Sequence, residues 1–351
     1  MKKSFVILLF VASLVAVPTA VFANAVPYYN YATPIFGLTM APDDSLLVAD
    51  YGAGVVELRK GEGNLIAELP GVVDVAPFGR GNLFAITGAG EAETAWKLFR
   101  VSQDGVREIA NLLAFETDVN PDGGTIDSNP FDVEALSGGQ ALIADAAGND
   151  LLSVDSQGNV DWVATFPVES VSTENAKNLA GCPTPPPGLE FVCDLPEMFP
   201  AESVPTSVAI GPDGAYYVGE LKGFPAPTGA SKVWRIEPGT LHAECGASPA
   251  CTVVADGFTS IIDLTFGPDG TLHVVEIDEA SFAAVEFELF FGLPDLTLGG
   301  TVNACDLGSW TCTEVATGLP LPVAAAVDRE GTVYVAISAL IPGAAKVIAL
   351  P

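Results

Sequence analysis

A tight turn that recurs six times, four β-prone segments attached to most recurrences, and a strand count that uses nearly the whole chain predict an all-β protein. The architecture they imply is a six-bladed β-propeller with four-stranded blades. The clearest copy is Val204 to Pro225, VPTSVAIGPDGAYYVGELKGFP. Within it, Val208 to Ile210 reads as a short apolar strand and Gly211-Pro212-Asp213-Gly214 as the turn. Tyr216 to Val218 reads as the return strand, closed by Glu220. A hairpin of this size is not stable alone, so its repetition is what makes a fold.

The turn positions are Asp44, Gly81, Gly139, Gly214, Gly270 and Gly331. Second strands follow as SLLVAD, NLFAIT, QALIAD, AYYVGE, TLHVVE and TVYVAI, and third strands as VVELRKG, KLFRVSQDG, DLLSVDSQG, KVWRIEPG, TVNACDLG and KVIALP. A fourth strand closes the first five units: NLIAELPG, REIANLLA, VDWVATFP, CTVVADGF and CTEVATGL. The sixth unit stops after its third strand, while Tyr28 to Tyr31 stands unassigned ahead of the first. The N-terminal segment is therefore expected to close the last blade and cover its open edge. Val168 to Ser203, with CPTPPPG inside it, reads as an insertion between blades three and four of a single domain, residues 24–351. Two separate β-sandwiches are the alternative, but no linker of suitable composition divides the chain.

Lys2 and Lys3, the apolar run Phe5 to Val17 and the small residues Ala20, Ala23 and Ala25 form the three regions of a signal peptide, residues 1–23, with Ala25 as a second cleavage point. The expected destination is secreted or periplasmic. The apolar run falls short of the ~20 residues a bilayer requires, and no later segment reads as a membrane span. Forty-four acidic residues against fourteen basic ones give a formal charge of −30, which argues against nucleic acid or anionic lipid as partners. The same charge permits cations, or simply keeps an apolar exported protein soluble.

The six cysteines fall into close pairs, Cys182 with Cys193, Cys245 with Cys251 and Cys305 with Cys312, and are expected to form local disulfides. With no CxxC motif and only His242 and His273, zinc is not expected. His242 falls in a loop with no evident partner.

In a propeller, the loops joining second to third strands share one face with the connections between blades. Gly88 to Ala95, Leu221 to Ser231, Ile277 to Gly300, Ala339 to Ala344 and Val168 to Ser203 all belong to that face, the expected place for a small-molecule or protein partner. The segment Ile277 to Gly300 carries Phe282, Phe287, Phe290 and Phe291 and either covers the channel mouth or packs on blade five. The Cys245/Cys251 and Cys305/Cys312 loops read as equivalent staples on the opposite face.

Register then places chemistry. Six residues after each turn position stand Asp50, Thr87, Asp145, Glu220, Glu276 and Ile337; seven before it stand Gly37, Asp74, Asp132, Ser207, Asp263 and Ala324. Both sets are expected near the axis on the elaborated face, so that seven carboxylates converge. An all-oxygen set of this kind suits Ca2+ or Mg2+ at the channel mouth. Against that stands a structural role for Asp50, Asp145, Glu220 and Glu276, since acids ending such strands accept bonds from the following turn. No GxSxG elbow, P-loop or dinucleotide fingerprint is present in a suitable setting.

NPFDVEAL with LIADAAGNDLLSVD, VPTSVAIGPDGAYYVGELKGFP with KVWRIEPG, and VVADGFTSIIDLTFGPDG resemble the ScyD/ScyE family, propeller-like secreted proteins associated with scytonemin biosynthesis genes in cyanobacteria. The resemblance is close over residues 129–270 and looser elsewhere. It implies a secreted NHL-like propeller and an accessory role in extracellular metabolite maturation, with no catalytic residues to carry over. A weaker similarity runs to six-bladed lactonases and NHL-type lyases, which it resembles in the axial placing of a metal. Two functions follow as expectations. One is a monomeric binding propeller that takes a ligand or partner at the loop-rich face. The other is a metal-dependent hydrolase, lactonase or lyase using Asp74, Asp132 and Asp263, with Glu220 or Glu276 as ligand or base.

Overall fold

The computed structural model describes residues 27–79 and 81–350, and the expected signal peptide, residues 1–23, lies outside them. Strand β1 (Pro27–Asn30) precedes blade one, which is β2 (Ile35–Met40), β3 (Leu46–Asp50), β4 (Gly54–Arg59) and β5 (Glu62–Glu68). Blade two is β6 (Val72–Pro77), β7 (Leu83–Thr87), β8 (Lys97–Ser102) and β9 (Gly105–Asn111), followed by helix α1 (Leu112–Val119). Blade three is β10 (Pro130–Leu136), β11 (Gln140–Asp145), β12 (Asp150–Val154) and β13 (Val160–Thr165). Next come β14 (Glu169–Ser172), α2 (Glu174–Leu179), α3 (Glu190–Cys193) and β15 (Met198–Ala201). Blade four is β16 (Pro205–Ile210), β17 (Tyr216–Glu220), β18 (Ser231–Ile236) and, after the short β19 (Ala243–Glu244), β20 (Cys251–Phe258). Blade five is β21 (Ile261–Phe266), β22 (Leu272–Glu276), helix α4 (Phe282–Phe291), β23 (Gly300–Asp306) and β24 (Thr311–Leu319). Blade six is β25 (Ala324–Val327), β26 (Val333–Ile337) and β27 (Lys346–Ala349).

Each blade is an antiparallel sheet in chain order, and β1 pairs with β27 to give the sixth blade its outer strand, so the ring is joined from both ends of the chain. The first strands contact one another in a closed circle, β2 with β6, β6 with β10, and so on to β25 against β2. The apolar runs have a physical reason. Strands β3, β7 and β17 are covered on both faces by neighbouring blades and are buried throughout, whereas the outer strands β5 and β9 keep only Ala67 and Ala110 fully inside. In five blades the pairing slips by a residue just ahead of Gly37, Asp74, Asp132, Ser207 or Asp263, a β-bulge of the kind that re-aims a side chain.

Three local features differ from the sequence reading. The fourth strand of blade two ends at Asn111, and the leucines that follow begin α1. Asn111 caps this helix by accepting the Ala114 N–H at 3.0 Å, and Asn120 closes it in a left-handed conformation. All three disulfides form, but the two on the turn-bearing face are not equivalent. Cys305 and Cys312 face each other directly across β23 and β24. Cys245–Cys251 instead closes an excursion whose strand β19 leaves blade four and pairs in parallel with β13, giving blade three a fifth strand. His242, finally, has partners: its Nε2 lies 2.8 Å from Asp161 Oδ1 and its ring lies tilted against that of Trp162, with centroids 4.6 Å apart.

Candidate functional site

Around the axis the first strands leave a narrow cavity of about 50 Å3, lined among others by Gly37, Asp74, Asp132, Glu134, Asp263 and Ala324. The three aspartates do not present free oxygens to it. Asp74 of blade two accepts the Val133 N–H of blade three at 3.0 Å; Asp132 accepts that of Val208 in blade four at 2.6 Å. Asp263 of blade five accepts that of Ala325 in blade six at 2.7 Å and its neighbour Leu264 at 2.8 Å. Each axial acid therefore bonds to the strand of the next blade, one position past the equivalent axial residue, and works as a strap between blades.

Electrostatics at the axis favours protons over open ligands. Burial, then the Asp132 charge, lifts Asp74 well above the usual carboxylate range, and the same two causes lift Asp263. Asp132 is also raised by burial, but it gains a hydrogen bond from Asp74, which holds the proton of the pair. Glu134, two residues along the same strand, is pushed up to about 8 by burial and by Asp132. Glu134 was legible in principle, since a residue two along from Asp132 shares its face of a strand. At the remaining axial positions, Gly37 makes room for the carboxylate of Asp74, because a Cβ there would come within 2.1 Å of Asp74 Oδ1. Ser207 does not line the cavity; its hydroxyl is buried against Gly219.

The second-strand acids do not join the axial set, which corrects the expected convergence of seven carboxylates. Asp50 caps the turn after β3, accepting from Gly52 N and Ala53 N, both at 3.0 Å, and from the Thr33 hydroxyl. Asp145 accepts from Ser128 Oγ at 2.5 Å and from the N–H groups of Asn129, Ala147 and Gly148. Glu276 accepts from Thr259 N and from Asn303 Nδ2. Glu220, fully buried, accepts from Trp234 Nε1 at 3.1 Å and pairs with the equally buried Lys222 at 3.0 Å. Lys222 in turn reaches Glu169 of the insertion at 2.6 Å, and Lys232 holds the other oxygen of Glu169. Burial alone would raise Glu169, but hydrogen bonds from the two lysines outweigh it and lower its pKa.

Among the described residues, no three His, Cys, Asp or Glu side chains are arranged as a ready cage for a metal ion. The axial donors also fit one poorly, since their oxygens already accept backbone N–H groups or share a proton.

All four helices lie on the face that carries the second-to-third-strand loops, which is where the insertions build a cap. Helix α2 packs on α3 and α4, and Ala176, Ala180, Leu189, Val192 and Phe287 form a separate small core. Asn175 Nδ2 ties the two insertions together, donating to Ala280 O at 3.0 Å and Ser281 Oγ at 2.9 Å. The segment Ile277 to Gly300 thus packs in two directions, with Phe287, Leu293 and Leu296 on the other insertion and Ile277, Phe282, Val285 and Leu289 on the main core of the ring. Aromatic rings concentrate there: Phe224 meets Phe191 and Phe199, and Phe287 meets Phe291. Phe290 is 49 % exposed and Phe291 39 %. Lower on the flank, an acidic groove of about 520 Å3 between blades four and five is lined by Trp310, Asn303, Glu276, Glu279 and Glu314.

No protein-family model matches the chain, and no curated protein does. Solved structures similar to it are propellers of diverse activity. A gluconolactonase from Xanthomonas campestris shares 12 % identity over 93 % of this chain and 89 % of that one, with a TM-score of 0.57. A putative oxidoreductase (glucose dehydrogenase) from Thermus thermophilus shares 15 % over 93 % and 99 %, with 0.57. A streptogramin B lyase shares 12 % over 93 % and 98 %, with 0.50. At these identities the likeness shows the fold alone.

Proposed function

We propose that this protein is an exported binding propeller that takes a planar aromatic ligand, or a partner presenting one, on the capped face. The role that its resemblance to the ScyD/ScyE family implies is accessory, in the extracellular maturation of a secondary metabolite. The carrying observation is the cap itself. Two insertions from different blades, one pinned by Cys182–Cys193, assemble a common apolar core and leave phenylalanine rings at the surface of an otherwise strongly acidic protein. Rings held on such a support offer contact area at low entropic cost. The narrow axial cavity, with its carboxylates engaged between blades, has no volume for a substrate of ordinary size, which weighs against hydrolase or lyase chemistry at the axis.

The test is a thermal-shift and fluorescence screen of the full mature chain against indoles, phenols and their oxidised dimers, beside a panel of lactones and esters followed for turnover. A compound that raises the melting temperature of the wild type but not of a Phe290→Ser, Phe291→Ser double variant supports the binding role. Turnover on the lactone or ester panel that is lost in Asp132→Asn and Asp263→Asn variants would replace it with the enzymatic one.

A further inference from the structure

Away from the axis, on the same face, α1 and the turn joining β11 to β12 gather acidic side chains that no cation among the described residues pairs with. Asp150 opens β12 with 1 % of its surface exposed, and neither carboxylate oxygen has a hydrogen-bond partner among the described residues. Glu116, 2 % exposed, leaves Oε1 unpartnered. One helical turn on, Asn120 leaves Oδ1 unpartnered while its Nδ2 donates to Gly124 O at 3.2 Å. The charges of Asp145, Glu116 and Asp122 act on Asp150; those of Asp122, Asp145 and Asp127 act on Glu116. Among the described residues, no Lys, Arg or His forms an ion pair with any of them.

The local backbone keeps the carboxylates together. Asp145 spends its oxygens on Ser128 and on the N–H groups of Asn129, Ala147 and Gly148, leaving none of those donors for Asp150. Gly148 lies over both acids, so that a Cβ there would come within 3.4 Å of Asp150 Oδ1. A carboxylate taken out of water with neither a donor nor a cation is strongly unfavourable, so this cluster calls for a counter-charge or a proton.

We propose that Asp150, Glu116 and Asn120 form a calcium site at the junction of blades two and three. Asp122 and Asp127 supply negative charge beside it, and backbone carbonyls and water complete the shell. The donors are two carboxylates and an amide oxygen rather than a cage of three acids, and they come from a helix, its cap and a strand. Calcium accepts such an irregular, all-oxygen set, whereas magnesium requires a near-ideal octahedron and zinc prefers nitrogen or sulfur. A bound ion would clamp α1, which ends blade two, to β12 of blade three.

The full mature chain, stripped with a chelator, is titrated with calcium chloride while its melting temperature and binding heat are followed. Saturating calcium is expected to raise the melting temperature by on the order of 5–10 °C. In Asp150→Asn and Glu116→Gln variants the calcium midpoint should rise at least tenfold. Their calcium-free melting temperatures should exceed that of the calcium-free wild type, because mutual repulsion is relieved. Absence of both binding heat and thermal shift at millimolar calcium, or a calcium response unchanged in both variants, overturns the site. So does a wild type that ignores calcium but gains stability on acidification, which would mean that protons fill the role. An equal or larger shift from magnesium overturns the choice of ion. If either variant fails to fold, the other variant and the wild-type heats decide.

Discussion

Asp132 and Asp150 belong to the same blade, and protein surrounds both, yet they stand in opposite situations. Asp132 accepts hydrogen bonds from the Val208 amide and from Asp74; Asp150 accepts none from the described residues. Glu220 is a third case, buried like Asp150 but provided with Lys222 and the Trp234 indole. The difference teaches that convergence of acids is a poor indicator of a binding site. What distinguishes one is oxygens left over after the fold has made its own bonds.

The strongest way to sharpen this contrast is to take away a built-in cation. Lys222→Met leaves Glu220 buried and uncompensated, and is expected to cost about 3–5 kcal/mol in chemical denaturation. A loss below ~1 kcal/mol would mean that Glu220 is already protonated in the native protein. Next in size is the strap. Asp132→Ala strands the Val208 N–H and the Asp74 hydroxyl, for a cost of about 1–3 kcal/mol, whereas Asp132→Asn keeps an acceptor and should cost less. Equal losses for the two would show that the charge of Asp132, and not its bond to blade four, matters. The smallest effect is a pH dependence. Glu134 has its folded pKa raised from 4.5 to about 8, so the native state binds the extra proton and stability declines as pH rises from about 5 to 8. Glu134→Gln should flatten that slope in melting temperatures taken across the window, and an unchanged slope would assign it to other groups.

The fold was readable because propeller blades impose the same local demands six times over. GPDG needs a left-handed glycine at Gly214 and Gly270, and both residues have positive φ. The covered middle strands need apolar runs such as SLLVAD and NLFAIT. Closure by residues near the N-terminus followed from a missing strand and an otherwise bare edge. The helices were less readable. Helix α1 starts in an apolar stretch that serves a strand equally well until the Asn111 cap is seen, and α2 and α3 flank a proline-rich loop that signals only irregularity.

The site was readable in position and not in partner. Register brought Asp74, Asp132 and Asp263 to the axis, but which donor each carboxylate meets depends on the neighbouring blade, and no local pattern encodes that. Asp145 was assigned by register to the axial set, and Asp150 opened DLLSVDSQG, read as a third strand after a turn whose glycine and asparagine suggested ordinary turn chemistry. Glu116 lay just past REIANLLA, a segment read as a fourth strand, so its place in a helix one turn ahead of the Asn120 cap could not be seen.

The two residues of β19 carry a consequence for how the ring comes apart. Strand β19 leaves blade four to pair with the outer strand of blade three, and Cys245–Cys251 fastens it at its root. Neither blade can peel outward without breaking the His242 N–H bond to Trp162 O and the Cys245 N–H bond to Thr165 O. Blades three and four are therefore expected to open together, and hydrogen exchange at His242 and Cys245, with equal opening free energies if they do, checks it.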